Sequence, residues 1–541
     1  MLSSHGNSTS GRSACSDSTF ARVLSYLGIP LFLAMLQLLG YPAESDAQQE
    51  FEITIETTLG DTTETFWLQI PQAYDPGNAC PLLLGWHQWG GNHWEMKNAT
   101  EFDSIANARV WIAASHHGTS TTHWTNHATQ SHVVDVIRWI QENYSIDEDR
   151  IYMVGASMGG AAGMVFSNNH LDPAGPMVAA AASISGIQDC ERRFYEQGIN
   201  NSMIEAFGGT PEQVPYEYHR NSAIYFADST ESMHFGARHL PLFLTFGLGS
   251  SDLVWRQHAE DLYEVLAGLA DTVVLHESSY AGHGWVCAEE GIICDFLEGF
   301  ALDSHPTSIS IGADEEGHWY WADIHMREPE ASFARIDGVA DIGRSHLDFT
   351  MFHNVSSVRL NLGSIGFPLD QGFFACGWDI RDEQAAQLAF LGVPQCPAIV
   401  LCDGAHYDQW AYDPIEQILA LDGDGDAHYA VLFDLASAPD GTARGLDPSS
   451  PVAAFPIEQA LRIWPSSTQG LCYRLLSPGR LDWILIDPLG RRVAGAALGW
   501  REAGSGSIRL DRSLSSGVYL AAVRIDGPSP CRSICKITVV R

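Results

Sequence analysis

The tightest constraint in this 541-residue chain is a short passage where an apolar run, Ile151 to Val154, enters Gly155-Ala156-Ser157-Met158-Gly159-Gly160. A serine with glycine two positions to either side suits a sharp strand-to-helix turn. Such a turn strains the serine backbone and exposes its hydroxyl, and only residues without bulk at the flanks let strand and helix approach closely. Three fixed positions recur by chance, so context decides. Here an apolar strand precedes the motif and a small-residue helix follows it. The passage therefore predicts a strand–turn–helix unit with Ser157 as candidate nucleophile. The bland alternative is a glycine-rich turn without chemistry.

The surrounding pattern extends that unit. Residues 51–55 and 66–70 alternate like paired strands, and 80–84 and 110–114 are compact apolar runs, as in strands buried on both faces. Val133, Ile137, Ile140 and Tyr144 recur at helical spacing, and 151–154, 178–184, 240–246 and 272–275 read as further strands. This βαβ rhythm predicts a mostly parallel sheet flanked by helices over residues 48–302. From 303 to 437 short alternating strands (318–324, 332–336, 346–352, 358–362) predict an all-β module. Residues 438–456, rich in Pro, Gly, Ser and Asp, read as a linker. Residues 457–541 are strand-like again and predict a small β-sandwich.

At the N-terminus, an apolar stretch from Leu24 to Leu39 is followed by Ser45-Asp46-Ala47, with small residues where a signal peptidase reads. Residues 1–47 are read as a secretory signal cleaved near Ala47. The rival, an uncleaved anchor, is disfavoured because the run is shorter than the ~20 residues a spanning helix needs and contains Pro30. Of eleven cysteines, losing Cys15 leaves ten, an even number that suggests disulfides in an exported chain. Cys287–Cys294 and Cys531–Cys535 are the local pairs to examine. The expected location is outside the cell or at its surface. With 29 Lys+Arg against 66 Asp+Glu, the net charge is −37, a field that repels nucleic acid and anionic lipid. Only Lys97 and Lys536 are lysines, which leaves little room for Schiff-base chemistry.

A neutral serine hydroxyl needs a general base held by an acid. The strand at 240–246 runs into Gly247-Leu248-Gly249-Ser250-Ser251-Asp252, which places a carboxylate at a strand's C-terminal end. The strand at 272–275 leads to Gly282-His283-Gly284. His283 is the best base among 22 histidines and Asp252 the best acid, because Ser, Asp and His then follow in the chain order of the α/β-hydrolase triad. Asp271 is poorer, since it precedes its strand.

Residues 50–300 resemble the secreted α/β-hydrolases grouped with feruloyl esterases, acetyl-xylan esterases and polyester depolymerases. His87, Gly90 and Gly91 match that family's His-Gly-x-Gly-Gly loop, and 145–152 match its lead-in to the nucleophile strand. The resemblance implies an oxyanion hole made by the amides of Met158 and Trp89, with Gln88 as runner-up for the second donor. Gln88 departs from the family's glycine. It also implies an ester substrate, carbohydrate-linked or polyester, and no cofactor. The tryptophans near these loops (Trp86, Trp89, Trp94, Trp124, Trp255, Trp285) offer flat surface for sugars or aryl groups, or simply packing. Trp86, His87, Trp124 and Trp285 are the substrate-contact candidates.

Three further signals stand apart. Histidines crowd 116–132; His123 and His127 are spaced i,i+4, but no acidic ligand joins them, so cleft lining or packing is expected and no metal. Asp422-Gly423-Asp424-Gly425-Asp426 starts like a calcium loop, yet Phe433 stands where the twelfth ligand belongs, so a turn is expected. The C-terminal block, with Asp487, Gly490, Arg491 and Gly517-Val518-Tyr519, resembles the Ig-like sorting domains of the type IX export pathway. It implies export machinery as a partner and no membrane insertion after cleavage. The expected function is a serine esterase. The rivals are a prolyl-oligopeptidase-type peptidase, which usually carries an N-terminal propeller that residues 48 onward cannot hold, and an inactive surface-binding protein.

Overall fold

The computed structural model describes residues 48–433 and 461–539 except 61, 198–200, 250–252, 271, 330, 370–372, 382–385, 404, 424, 467–469, 476–478, 487–491, 502–503, 511–513, 515–516 and 527–530. The proposed signal (1–47) and linker (438–456) lie outside the described residues, as do Asp252, Asp271, Asp424 and all of the Asp487–Arg491 motif.

Eight strands form the first sheet: β1 (Gln49–Glu56), β2 (Thr63–Ile70), β3 (Cys80–Trp86), β4 (Ile112–His116), β5 (Ile146–Ala156), β6 (Ala180–Ile184), β7 (Leu242–Phe246) and β8 (Val273–Glu277). Their order is β1-β2-β4-β3-β5-β6-β7-β8. β1–β2 and β2–β4 pair antiparallel; every later pair is parallel. The pleat explains the continuous apolar runs. Leu82, Leu84, Ile151 and Met153 enter one buried cluster, whereas Leu83, Tyr152 and Val154 enter another on the opposite face. The helix His127–Asn143 packs Val133, Val136, Ile137 and Ile140 into the first cluster, and its N-cap Asn126 accepts from the Thr129 amide.

The β6–β7 connection is far longer than a simple crossover. It carries helices Cys190–Gln197, Asn201–Phe207 and Pro215–Arg220. Ile187, Cys190, Phe194, Met203, Phe207 and Tyr218 bury one another together with Trp124 and Met158, so this cap has a small core that touches the loops beside Ser157.

Downstream, a six-stranded and a seven-stranded sheet enclose one large apolar cluster. Its boundary with the first sheet is shared. Leu171 and Met177 belong to the β-module's core, and Phe333 belongs to the first sheet's core. Around Asp422–Asp426 the chain passes between sheets: Asp422 lies in strand Ile418–Gly423 of the six-stranded sheet, Asp426 opens strand Asp426–Leu432 of the seven-stranded sheet, and Gly425 has φ 70°. The last strands form a three-stranded and a four-stranded sheet, and Leu481, Trp483, Leu485, Ile508, Tyr519 and Val523 are among the residues of a shared cluster.

The cysteine expectation is corrected where it can be seen. Among the described residues no disulfide forms, and Cys287 and Cys294 are both thiols. Both side chains pack in the cluster against the sheet as small apolar groups, and burial pushes the Cys294 thiol up to about 12. Cys531 and Cys535 lie in strand Cys531–Val539, and their side chains fall outside the described residues.

Candidate active site

Ser157 follows the last residue of β5 and adopts φ 54°, a left-handed conformation unusual for a residue with a side chain. Glycines make that turn feasible. A Cβ on Gly155 would lie 2.0 Å from the Gly159 carbonyl oxygen, and one on Gly159 would lie 2.5 Å from the Trp86 carbonyl oxygen. The strand therefore presses directly on the first turn of the following helix, and Ser157 is carried to the C-terminal edge of the parallel strands.

His283 arrives from the loop after β8, and its Nε2 stands 2.7 Å from Ser157 Oγ. It sits between Gly282 (φ 131°) and Gly284 (φ 72°), two conformations that favour glycine. A Cβ at Gly284 would meet the Gln88 side chain at 2.0 Å. Trp255, on helix Leu253–Leu266 after β7, packs its ring 3.7 Å, centroid to centroid, from the His283 ring.

The loop after β3 separates the two candidates for the second oxyanion donor. The Gln88 amide donates to Glu95 Oε2 at 2.9 Å and so is already engaged; this corrects Gln88 as a donor. The Gln88 carbonyl accepts from the Gly91 amide at 2.9 Å, and His87 Nδ1 also lies 2.9 Å from it. Because a trans peptide directs its N–H opposite to its C=O, these contacts also fix the direction of the Trp89 amide.

The structure separates the four substrate-contact candidates. Trp124 lines the cleft at Ser157. Trp86 is buried in the sheet's core, with Nε1 on Met153 Sδ. His87 is buried as well, its two ring nitrogens set against the Gln88 and His117 carbonyls. Trp285 packs edge-on against Phe102 and turns its Nε1 toward Glu95. These three side chains point back into the protein. Sequence proximity to the motif could not reveal that direction.

The histidine crowd gains a carboxylate that sequence reasoning missed. Glu64, in β2, is wholly buried; it accepts from the His117 and Gly118 amides, and Oε2 lies 2.7 Å from His132 Nδ1. Burial, reinforced by neighbouring histidines, pulls His116 and His123 well below the usual imidazole range. His123 precedes the helix that begins at His127, so the i,i+4 spacing is not helical. Among the described residues, no group of three or more His, Cys, Asp or Glu is arranged to hold a metal ion.

The cleft holds about 730 Å³ and is lined by Ser157, His283, Trp89, Trp124, Trp255 and Ile187, together with Gln88 and polar side chains of the cap. Ser202, on helix Asn201–Phe207, accepts from the Trp89 indole at 3.0 Å and from the Trp124 indole at 2.9 Å. One hydroxyl thus ties two loops to the cap. Trp124 and Thr125 both have positive φ (49° and 58°), and such residues cost on the order of 1–3 kcal/mol each. The surrounding contacts hold that strain and present Trp124 to the cleft. Arg193, Gln197, Asn201 and Ser202 were not found from sequence; the long β6–β7 connection was the available signal.

The prolyl oligopeptidase family matches residues 118–294. A protein described as an uncharacterized peptidase, YtmA, of Bacillus subtilis (strain 168) is 33% identical over 82 residues, which is 15% of this chain and 30% of that protein. The chain therefore aligns with less than a third of that relative. Among solved structures, a ferulic acid esterase is 12% identical, covering 46% of this chain and 97% of its own, with a TM-score of 0.37. An acylaminoacyl peptidase of Pyrococcus horikoshii is 13% identical, covering 50% of this chain and 45% of its own, also with a TM-score of 0.37. The family match spans both Ser157 and His283, the pair that the fold brings to 2.7 Å.

Proposed function

We propose that the chain hydrolyses carboxylic esters through an acyl-enzyme on Ser157. The observation that carries this reading is the 2.7 Å contact between His283 Nε2 and a serine held at φ 54° at the edge of an open cleft. His283 takes the serine proton as Ser157 attacks the carbonyl, then returns it to the leaving alcohol. Asp252, outside the described residues, is assigned to hold the imidazole tautomer. The Met158 and Trp89 amides are assigned to the tetrahedral oxyanion, and water then releases the acid.

A second reading, a peptidase, is favoured by the family match at 118–294. An enzyme that takes the free amino end of a peptide must neutralise an ammonium inside its cleft. Among the described lining residues the only permanently charged one is Arg193, a guanidinium. That supports the ester reading. Sugar-linked esters and polyesters remain the proposed substrates, and residues 1–47 and 457–541 are proposed to direct export to the cell surface or beyond.

Fluorophosphonate labelling of wild type and Ser157→Ala, followed by matched ester and peptide panels, tests the assignment. Labelling that depends on Ser157, with turnover confined to esters, is the expected outcome. Peptide turnover alone would move the chain to the peptidase reading, and a wild type that does not label would favour a binding protein.

A further inference from the structure

The segment that follows β7 supplies more than the assigned acid. Three residues after Asp252 stands Trp255, on helix Leu253–Leu266. Its ring lies 3.7 Å, centroid to centroid, from the His283 ring at an interplanar angle of 39°, and it lines the cleft with Ser157. Among the described residues Trp255 Nε1 has no hydrogen-bond partner, so packing of the ring, not its polar atom, holds it in place. A buried, unpaired N–H is a penalty that phenylalanine would avoid; what indole adds over phenylalanine is a stronger π face.

That ring meets the group whose charge changes in the reaction. As the bond from Ser157 Oγ to the carbonyl carbon forms, the hydroxyl proton passes to His283 Nε2 and the neutral ring becomes an imidazolium. A cation within about 6 Å of an indole centroid is attracted by the ring's quadrupole, and a neutral imidazole much less so. The contact is therefore stronger in the transition state than in the ground state, which is the condition for a faster chemical step. The Arg193 guanidinium lies 4.9 Å from the same indole centroid, but Glu196 stands beside it as counter-ion at 3.5 Å, which reduces its repulsion toward the imidazolium.

We propose that Trp255 is a positioning residue: it fixes the plane of the His283 ring against Ser157 and stabilises the imidazolium that forms there. The proposal rests on the proposed function, in which His283 is the base for Ser157, and deepens it.

The test replaces Trp255 in the full chain and follows hydrolysis of p-nitrophenyl acetate and butyrate. Inactivation by diisopropyl fluorophosphate, which needs an activated Ser157 and no ester, is measured beside it. Trp255→Leu should lower kcat about three- to thirtyfold on both esters, with KM unchanged and inactivation slowed to match. Trp255→Phe, which keeps a π face and removes no hydrogen bond, should retain most of both rates. Equal kcat in folded Trp255→Leu and Trp255→Phe, or a loss confined to KM or to the larger ester, would overturn the proposal and leave Trp255 a packing or cleft-wall residue. If Trp255→Leu does not fold, tryptophans of increasing ring fluorination placed at position 255 keep the shape while weakening the π face. The inactivation rate and kcat should then fall stepwise, and no trend would overturn the role. Ser157-dependent inactivation without turnover of any ester would instead sink the ester reading, and Trp255 would still be judged by the inactivation rates.

Discussion

At the scale of the residue, the proposed chemistry concentrates in Ser157 and His283. Ser157 is 7% exposed, so its hydroxyl opens only toward the cleft and the imidazole 2.7 Å away. Ser157→Ala should lower kcat on a responsive ester by about 10⁴-fold or more, with the fold intact by circular dichroism. His283→Ala should cost a similar amount, and the double variant little more than either single one, because nucleophile and base act as one unit. Additive losses in the three kcat values would argue against a shared proton-transfer step.

At the scale of the element, the strand–turn–helix around Ser157 works because Gly155 and Gly159 let the backbones touch. Gly155→Ala would drive a methyl into the Gly159 carbonyl at 2.0 Å, backbone against backbone, with no flexible side chain to yield. The expected loss is about 1–3 kcal/mol or more, measured by chemical denaturation, together with lower kcat as the serine shifts. The cap helices work differently. They meet the catalytic loops through the indoles on Ser202 and through the small core around Met158, so the cap sets the cleft's walls without entering the sheet.

At the scale of the whole molecule, the catalytic sheet and the β-module share a seam. Arg220, at the end of a cap helix, donates through Nε (3.0 Å) and Nη2 (2.6 Å) to Asp314 Oδ2, and the Asp314 side chain is 1% exposed. Arg220→Ala would strand a buried carboxylate and should cost about 3–5 kcal/mol in urea unfolding. His234 lies on the same seam. Burial, aided by the nearby Arg335 charge, lowers it to about 4 from 6.5. A histidine depressed in the folded state contributes stability that is present above pH 6.5 and lost as pH falls toward 4, where the unfolded chain binds the proton and the folded chain resists it. Wild type should therefore lose stability relative to His234→Gln over that window, by on the order of a few kcal/mol. A Tm difference that stays constant from pH 7.5 to 4 would refute this.

Local pattern determined the parallel sheet and the strand–turn–helix at Ser157, because strand burial and turn geometry depend on residues close in sequence. Element limits moved by a few residues, as where the expected strand at 110–114 became β4, Ile112–His116, since Val110 takes φ 59° as it ends the preceding helix. What sequence could not decide was direction and partnership. Trp86, His87 and Trp285 turn away from the cleft and the buried Trp124 turns toward it, although all lie on loops or strand ends near Ser157. Glu64 joins histidines more than 50 residues away, and Ser202 meets indoles 78 and 113 residues before it. The chain alone therefore named Ser157 and His283 as the candidate pair; only tertiary packing chose which side chains face the cleft, because that choice depends on contacts between segments far apart in sequence.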